Sequence, residues 1–177
     1  MTESHTRWAR VRRLPALALI ASGWGWACGA PPGQGADASH RVLLGTGSDG
    51  FQPIAEGAAV PLISGIQGGF HVWTSFLAFG FETDVVHMDL STRIEGDPDS
   101  LVPMPGSVAL RPTTDDLGKP VLGMWGWPAA IHEPGCAHDE TLVLELRVED
   151  FSGNVASDER RCIVFVEEQY RDTDCAP

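Results

Sequence analysis

The clearest hydrophobic pattern in the chain lies in residues 141–166. Four apolar side chains occupy every second position there: Leu142, Leu144, Leu146 and Val148. This period of two is typical of a strand with one buried face. Residues 150–154, Asp-Phe-Ser-Gly-Asn, follow with turn chemistry, and Gly153 or Asn154 can take the positive φ that β-branched residues resist. Because a β-branched run at residues 162–166 comes next, the pattern predicts an antiparallel hairpin whose leucines need a second sheet to cover them.

Further strands are predicted upstream, where short apolar stretches alternate with glycine and proline. They lie at residues 41–44, 51–54, 59–63, 107–110 and 121–125, with loops expected at 96–105 and 112–120. Residues 70–81 are apolar on both faces, which is typical of a central strand, and residues 84–94 alternate. We expect these two segments to pair as a hairpin around residues 82–84. Seven to nine strands spaced by about ten residues, with no helical period, predict an all-β, antiparallel β-sandwich.

The first 27 residues have the layout of a secretory signal peptide. A basic head, Arg7 to Arg13, precedes an apolar run at residues 14–21 and a small-residue exit at residues 25–27. The apolar run is much shorter than the roughly 20 residues that span a bilayer. Gly, Pro and Ala dominate the following segment, which is expected to be a flexible tether. The predicted organisation is a signal peptide at 1–27, a tether at 28–39, a sandwich at 40–168 and a tail at 169–177.

Cys28 follows the exit directly and resembles the lipidated cysteine of the bacterial lipobox. The resemblance implies that acyl chains on Cys28 hold the exported protein on a membrane. Gly29 in the next position implies the outer membrane. Gly25 stands where lipoboxes usually carry Leu. Free secretion to the periplasm or the medium after ordinary signal cleavage, and retention by an uncleaved segment, are therefore the alternatives.

Two other stretches resemble known families. Residues 148–156, Val-Glu-Asp-Phe-Ser-Gly-Asn-Val-Ala, look like the closing hairpin of bacterial extracellular immunoglobulin-like modules, which implies an immunoglobulin-like sandwich. Residues 45–47, 51–53 and 65–73 resemble a signature of uncharacterised bacterial lipoproteins. The second resemblance implies the same envelope location and carries no activity with it.

The charge of the chain excludes one class of partner. The full sequence has a formal charge of −12, and removal of residues 1–27 takes away four Lys or Arg and one Asp or Glu, which leaves −15. Binding to nucleic acid, or to anionic lipid through a basic face, depends on Lys and Arg contacts to phosphate. We therefore expect no nucleic-acid partner. The acidic stretches at residues 97–99 and 115–116 lack the ligand spacing of a calcium loop and are expected to be solvated.

The cysteines predict one disulfide, since an exported chain oxidises thiols where geometry allows. Cys136 lies just before the penultimate predicted strand and Cys175 just after the last. Those two points sit at the same end of an antiparallel pair, which favours Cys136–Cys175. The alternative pairing is Cys136–Cys162.

Two tryptophan-containing clusters are candidate ligand sites. His71 and Trp73 share one strand face, and Trp125 and Trp127 are expected to share another. If exposed, such rings stack on sugars or form a protein interface, whereas buried rings belong to the core.

A metal site and a catalytic site are the other possibilities. His132, Cys136 and His138 are soft ligands close together in sequence, but no paired metal-binding motif accompanies them. No nucleophile elbow, zinc-protease helix, phosphate loop or dinucleotide motif occurs, so neither a cofactor nor an enzymatic activity is expected. The prediction is an exported, lipid-anchored protein with a binding or scaffolding role toward an envelope protein or glycan. The alternatives are a module that binds sugar or a small ligand through exposed Trp, and a periplasmic metal-binding protein.

Overall fold

The computed structural model describes residues 39–65 and 69–171. The signal peptide, Cys28, nearly all of the tether and Cys175 lie outside these ranges, so the predictions for them stay predictions. The described residues form eleven strands and three short 3₁₀ turns, at Pro98–Ser100, Pro134–Cys136 and Glu168–Tyr170. The prediction of an all-β fold is confirmed. In this part of the chain no helix has the length and apolar character needed to cross a bilayer.

The strands form two sheets. Sheet A consists of β1 (Arg41–Thr46), β2 (Gln52–Pro53), β4 (Ile63–Ser64), β5 (Phe70–Phe79), β8 (Arg111–Thr114) and β9 (Pro120–Ala130). Sheet B consists of β3 (Ala58–Pro61), β6 (Val85–Ile94), β7 (Val102–Ala109), β10 (Thr141–Glu149) and β11 (Val155–Phe165). Nine of these strands have four or more residues, which agrees with the seven to nine predicted.

The strand order is that of an immunoglobulin-like sandwich. Sheet A runs β2-β1-β5-β9-β8, with β4 paired to the first residues of β5, and sheet B runs β3-β11-β10-β6-β7. All described pairings are antiparallel except β3 with β11, which is parallel. β1 and β11, the first and last long strands, each lie second from the edge of their sheet. The chain crosses from sheet A to sheet B between β5 and β6 and again between β9 and β10.

The core lies between the inner faces of the two sheets. Alternate side chains of β1 and β5, including Leu44 and Phe76, meet those of β6 and β10, including Met88 and Leu144, and all four are almost completely buried. Removing this apolar area from water stabilises the fold by roughly 25 cal/mol per Å².

The predicted closing hairpin is confirmed. β10 and β11 pair from Thr141↔Ile163 to Glu149↔Val155, and residues 150–154 form the turn. Gly153 in that turn has φ 82°, which explains why a glycine is needed there.

The predicted hairpin between residues 70–81 and 84–94 is wrong. β5 lies in sheet A and β6 in sheet B, so residues 80–84 cross from one sheet to the other. β5 is apolar on both faces because its outward-facing side chains are also rich in aromatic residues. This pattern does not indicate which strand pairs with β5.

The predicted loops at 96–105 and 112–120 are partly wrong. β7 includes Pro103 and Pro105, and β8 includes Pro112. β7 and β8 are the edge strands of their sheets, where a residue without an N–H is tolerated. β9 also extends beyond its predicted end at Trp125 to Ala130. The predicted edge position of residues 51–54 is confirmed by β2, the outermost strand of sheet A.

Candidate functional site

Sheet A differs from the rest of the protein in charge. Its six strands contain no Asp or Glu, although the chain has 24 acidic residues, and their only charged residues are Arg41 and Arg111. An acidic protein therefore has one sheet with a local formal charge of +2. This sheet also carries most of the predicted ligand residues.

His71, Trp73 and Trp125 lie on the outer side of sheet A. Their neighbours Val72 and Phe76 point inward and are buried in the core, so the odd-numbered side chains of β5 point outward. Ser75, which also points outward, pairs with Trp125 in the β5–β9 register, whereas Trp73 pairs with Pro128. Trp125 is therefore a diagonal neighbour of Trp73 at a Cα spacing of about 7–8 Å. All three aromatic side chains are partly exposed.

The prediction that Trp125 and Trp127 share a face is wrong. The β5–β9 register shifts between Thr74 and Ser75, so that β9 has one extra residue, Gly126, with φ 76°. This bulge turns Trp127 inward, where its ring packs against the core and lies over Gly106. Trp127 is thus half-buried against the core.

The bulge holds the loop that follows β1. The Gly126 N–H donates to the Gly47 carbonyl at 3.1 Å, and a Cβ on Gly126 would approach the Ser48 carbonyl oxygen to 2.6 Å. Thr46 also anchors the loop, since its hydroxyl donates to the Trp73 carbonyl at 2.6 Å. The loop therefore reaches across β5 and fixes the backbone next to both exposed tryptophans.

Two arginines that the sequence analysis missed complete this surface. The Arg111 guanidinium lies 5.5 Å from the centre of the Trp125 ring, and the Arg41 guanidinium lies 4.1 Å from the centre of the Phe79 ring. The outer side of sheet A, formed by His71, Trp73, Phe79, Trp125, Arg41 and Arg111, is called the aromatic face below. The sequence carries no signal that joins the arginines to the rings until the sheet membership of β1 and β8 is known.

His71 is held in an unusual environment within the aromatic face. Its ring packs edge-on against Trp73, with the ring centres 4.3 Å apart, and its buried Nε2 atom has no hydrogen-bond partner among the residues that the structure describes. Burial lowers the pKa of His71 below its ordinary value of 6.5. The imidazole is therefore neutral at pH 7, and the aromatic face keeps its two arginines as its charged groups.

The outer side of sheet B has the opposite character. Its side chains form a network of ion pairs: Arg93–Glu145, Arg147–Asp89, Arg147–Glu149, Arg161–Glu95 and Arg161–Glu159. In these pairs opposite charges compensate each other at the protein surface, and exposed ion pairs of this kind contribute little stability individually. This outer side, called the ion-pair face below, is a solvated surface, which leaves the aromatic face as the stronger binding candidate.

The residues of the predicted metal cluster are not assembled into a site. His132 is exposed, while the Val166 N–H donates to Nδ1 of His138 at 3.1 Å and the His138 ring packs edge-on against Phe165. Cys136 lies in the 3₁₀ turn Pro134–Cys136. Among residues 39–65 and 69–171, no three His, Cys, Asp or Glu side chains are grouped in a way that would hold a metal ion.

The alternative disulfide Cys136–Cys162 is wrong. Cys162 is a free, fully buried thiol in β11, and burial raises its pKa to about 12. Its Sγ lies 3.8 Å from the Leu142 carbonyl oxygen on β10. The side chain points into the core and away from Cys136, which the sequence spacing alone did not reveal. The favoured Cys136–Cys175 pairing stays a prediction, because Cys175 lies outside the described residues.

A concave surface lies at one end of sheet B. It is a shallow groove of about 400 Å³ lined by His87, Ser107, Glu149, Asp150, Phe151 and Gly153. The groove is open. It contains the imidazole of His87, but no nucleophile in the lining is hydrogen-bonded to that ring. The geometry therefore favours binding of another surface over catalysis.

No model of a protein family matches the chain, and a search of curated proteins finds no match.

Proposed function

We propose that this chain is an exported, lipid-anchored protein of the cell envelope that binds a partner through the aromatic face. One observation carries the proposal: six strands without a single acidic residue place Arg111 beside Trp125 and Arg41 beside Phe79, with Trp73 partly exposed on the same outer side. The opposite outer side of the sandwich is occupied by ion pairs. Tryptophan and arginine are the residues that dominate the energetics of protein interfaces.

The charge of the aromatic face indicates an acidic partner. Arg41 and Arg111 provide donors next to flat rings in a protein whose mature form is strongly acidic. An acidic protein surface would be attracted to this face and repelled by the rest of the molecule, which fixes the orientation of binding. Two arginines are too few for the phosphate neutralisation that nucleic-acid binding requires.

The anchor is supported by the signal layout before Cys28 and by its resemblance to a lipobox. Labelling cells with a palmitate analogue tests it. The native protein should incorporate the label and Cys28→Ala should not, because that substitution removes the acceptor thiol. Equal labelling of the two proteins would remove the anchor from the proposal.

The binding role is tested by affinity capture from envelope extracts. Immobilised native protein should retain a partner that a W73S/W125S double variant loses, since both exposed rings are gone. R147Q on the ion-pair face is the matched control and should retain the partner. Retention by the double variant, or loss with R147Q, would show that the aromatic face is not the binding surface.

A glycan is the second candidate partner, favoured by the spacing of the two exposed rings. Trp73 and Trp125 are diagonal neighbours on adjacent strands, and flat, partly exposed rings of this kind can stack on sugars. Titration with acidic oligosaccharides should then change tryptophan fluorescence in the native protein and not in W73S/W125S. Retention of an envelope protein after the glycans have been digested would favour the protein partner instead.

A further inference from the structure

Two turns of the sandwich expose a large apolar side chain almost completely. Leu117, in the turn between β8 and β9, is 78% exposed, and Phe151, in the turn between β10 and β11, is 83% exposed. They are the two most exposed large hydrophobic residues in the described part of the chain. Side chains so far out of a fold contribute almost nothing to its stability, which raises the question of what they contact.

The first of these turns, residues 115–119, is held by its leading aspartate. Asp115 Oδ1 accepts hydrogen bonds from the Leu117 N–H at 2.9 Å and the Lys119 N–H at 2.8 Å. The Asp115 N–H donates to the Lys119 carbonyl, and Gly118, with φ 73°, donates to the Asp115 carbonyl. We call this segment the sheet A turn.

The second turn, residues 150–154, repeats the same construction and is called the sheet B turn. Asp150 Oδ1 accepts from the Ser152 and Asn154 N–H groups, both at 2.9 Å, and Gly153 has φ 82°. Burial would raise the pKa of Asp150, but the hydrogen bonds from Asn154 and Ser152 outweigh it and lower the pKa below its ordinary value. A charged carboxylate thus holds the turn that presents Phe151.

Both turns lie at the same end of the sandwich. β9 runs antiparallel to β5 with Leu122 opposite Ala78, so the sheet A turn lies beyond the end of β5. β10 runs antiparallel to β6 with Glu149 opposite His87, so the sheet B turn lies beside the start of β6. Because residues 80–84 join the end of β5 to the start of β6, the two turns share one end of the molecule.

The chain also enters the sandwich at this end. β1 begins with Arg41 opposite Phe79, and the His40 ring packs edge-on against Phe81, with the ring centres 5.3 Å apart. Gly80 has φ 79°, and a Cβ there would overlap the Ser39 carbonyl. This end, formed by residues 39–41, 80–84 and the two turns, is called the entry end below.

We propose that the entry end lies on the bilayer that holds the anchor and that Leu117 and Phe151 insert into its zwitterionic surface. The inference rests on the lipid anchor of the proposed function. Ten residues lie between an acylated Cys28 and Ser39, and the eleven Cα-to-Cα steps span at most about 40 Å. The anchor therefore attaches the sandwich to the lipid through the entry end.

The form of the apolar surface favours lipid over a protein partner. Leu117 and Phe151 protrude from turns of two different sheets, so a protein partner would have to match both turns at once. A fluid interface closes around each side chain without such a match. The entry end has five acidic residues against two basic ones, Arg41 and Lys119, and this net negative charge favours zwitterionic over anionic headgroups.

Hydroxyl-radical footprinting of the full chain on phosphatidylcholine vesicles tests the inference. Oxidation of Leu117 and Phe151 should fall several-fold on the vesicles relative to the protein in solution. Leu101 and Phe165 are half exposed at the opposite end of the sandwich and serve as internal controls whose oxidation should not change. Replacing part of the phosphatidylcholine with phosphatidylglycerol should weaken the protection at low salt.

A second measurement separates this inference from the anchor. The full chain with Cys28→Ala and an added amino-terminal histidine tag is held on vesicles that contain a nickel-chelating lipid, so lipidation is not required. Protection of Leu117 and Phe151 should persist there, and it should weaken at Phe151 in L117S and at Leu117 in F151S, because one of the two inserted side chains is then missing. Both substitutions keep the Asp and Gly that build the turns, and unchanged circular dichroism checks the fold.

Three results would overturn the inference. One is unchanged oxidation of Leu117 and Phe151 on tag-held vesicles, even if Cys28 is acylated in cells. Another is equal protection of Leu101 and Phe165, which would indicate general adsorption. The third is protection that requires an envelope protein extract in place of pure lipid, since a protein would then cover the entry end.

Discussion

His71 is a residue whose protonation is coupled to folding. Burial lowers its pKa, and no group in the described part of the chain accepts a hydrogen bond from its Nε2 atom. Below its ordinary pKa of 6.5 the unfolded chain binds a proton that the folded chain does not, so stability falls as the pH drops from 6.5 toward the folded-state pKa. The free energy of unfolding should therefore decrease between about pH 7.5 and about pH 5.

The variant H71F isolates this contribution, because it changes His71 and leaves the other histidines in place. A phenyl ring preserves the packing against Trp73 and removes the proton. Urea unfolding of both proteins over the same pH range should show a weaker pH dependence for H71F. Identical curves would mean that His71 finds a partner in solution.

The cysteines give a second prediction at this scale. Cys162 is fully buried with a pKa raised to about 12, so alkylation at pH 8 should be negligible in the folded protein and complete after denaturation.

Mass spectrometry of the exported protein without reduction should also show a Cys136–Cys175 linked peptide. A peptide that links Cys162 to either cysteine would contradict the structure.

At the scale of elements, the bulge in β9 decides which rings face solvent. G126A should destabilise the fold by about 3 kcal/mol or more, since a Cβ adds an unfavourable φ and an overlap with the Ser48 carbonyl. Gly57 also has a positive φ, 70°, but has open space around it, so G57A should cost only about 1–2 kcal/mol. Thermal unfolding of both variants measures the difference, and equal losses would show that the contact with the loop after β1 is unimportant.

The edge of β1 is closed by a side chain from the other sheet. The Leu44 N–H donates to Asp158 Oδ2 at 2.8 Å, and Arg160 pairs with the same oxygen at 2.8 Å. D158A should cost about 1–3 kcal/mol, because it leaves a partly buried N–H and a guanidinium without their acceptor. E159A, which breaks only an exposed pair with Arg161, should change stability by less than about 1 kcal/mol. Chemical denaturation compares the two, and a larger loss for E159A would contradict this role of Asp158.

How well each element could be predicted depended on whether its signal was local. The alternation Leu142-Leu144-Leu146-Val148 specifies one buried face, and Gly153 supplies the turn, so the last hairpin was predictable. The partner of β5 was not, since pairing depends on contacts far along the chain. The bulge at Gly126 was also hidden, because one extra residue in a strand leaves no compositional signal.

At the scale of the whole molecule, the two outer faces of the sandwich differ in charge. A sequence shows that the chain is acidic, but it does not show that every acid avoids the strands of sheet A, because that requires knowledge of which strands share a sheet. Trp73 and His71 were correctly placed as one cluster since they lie two residues apart on one strand. Trp125, Arg41 and Arg111 join them only through pairing between strands.

Photo-crosslinking in cells tests most directly whether the aromatic face is the binding surface. A photoreactive phenylalanine analogue replaces Trp125 on the aromatic face or, as the matched control, Arg147 on the ion-pair face. Irradiation of cells should give a discrete crosslinked product from position 125 and none from position 147. A product from position 147 alone, or from neither position, would contradict the account.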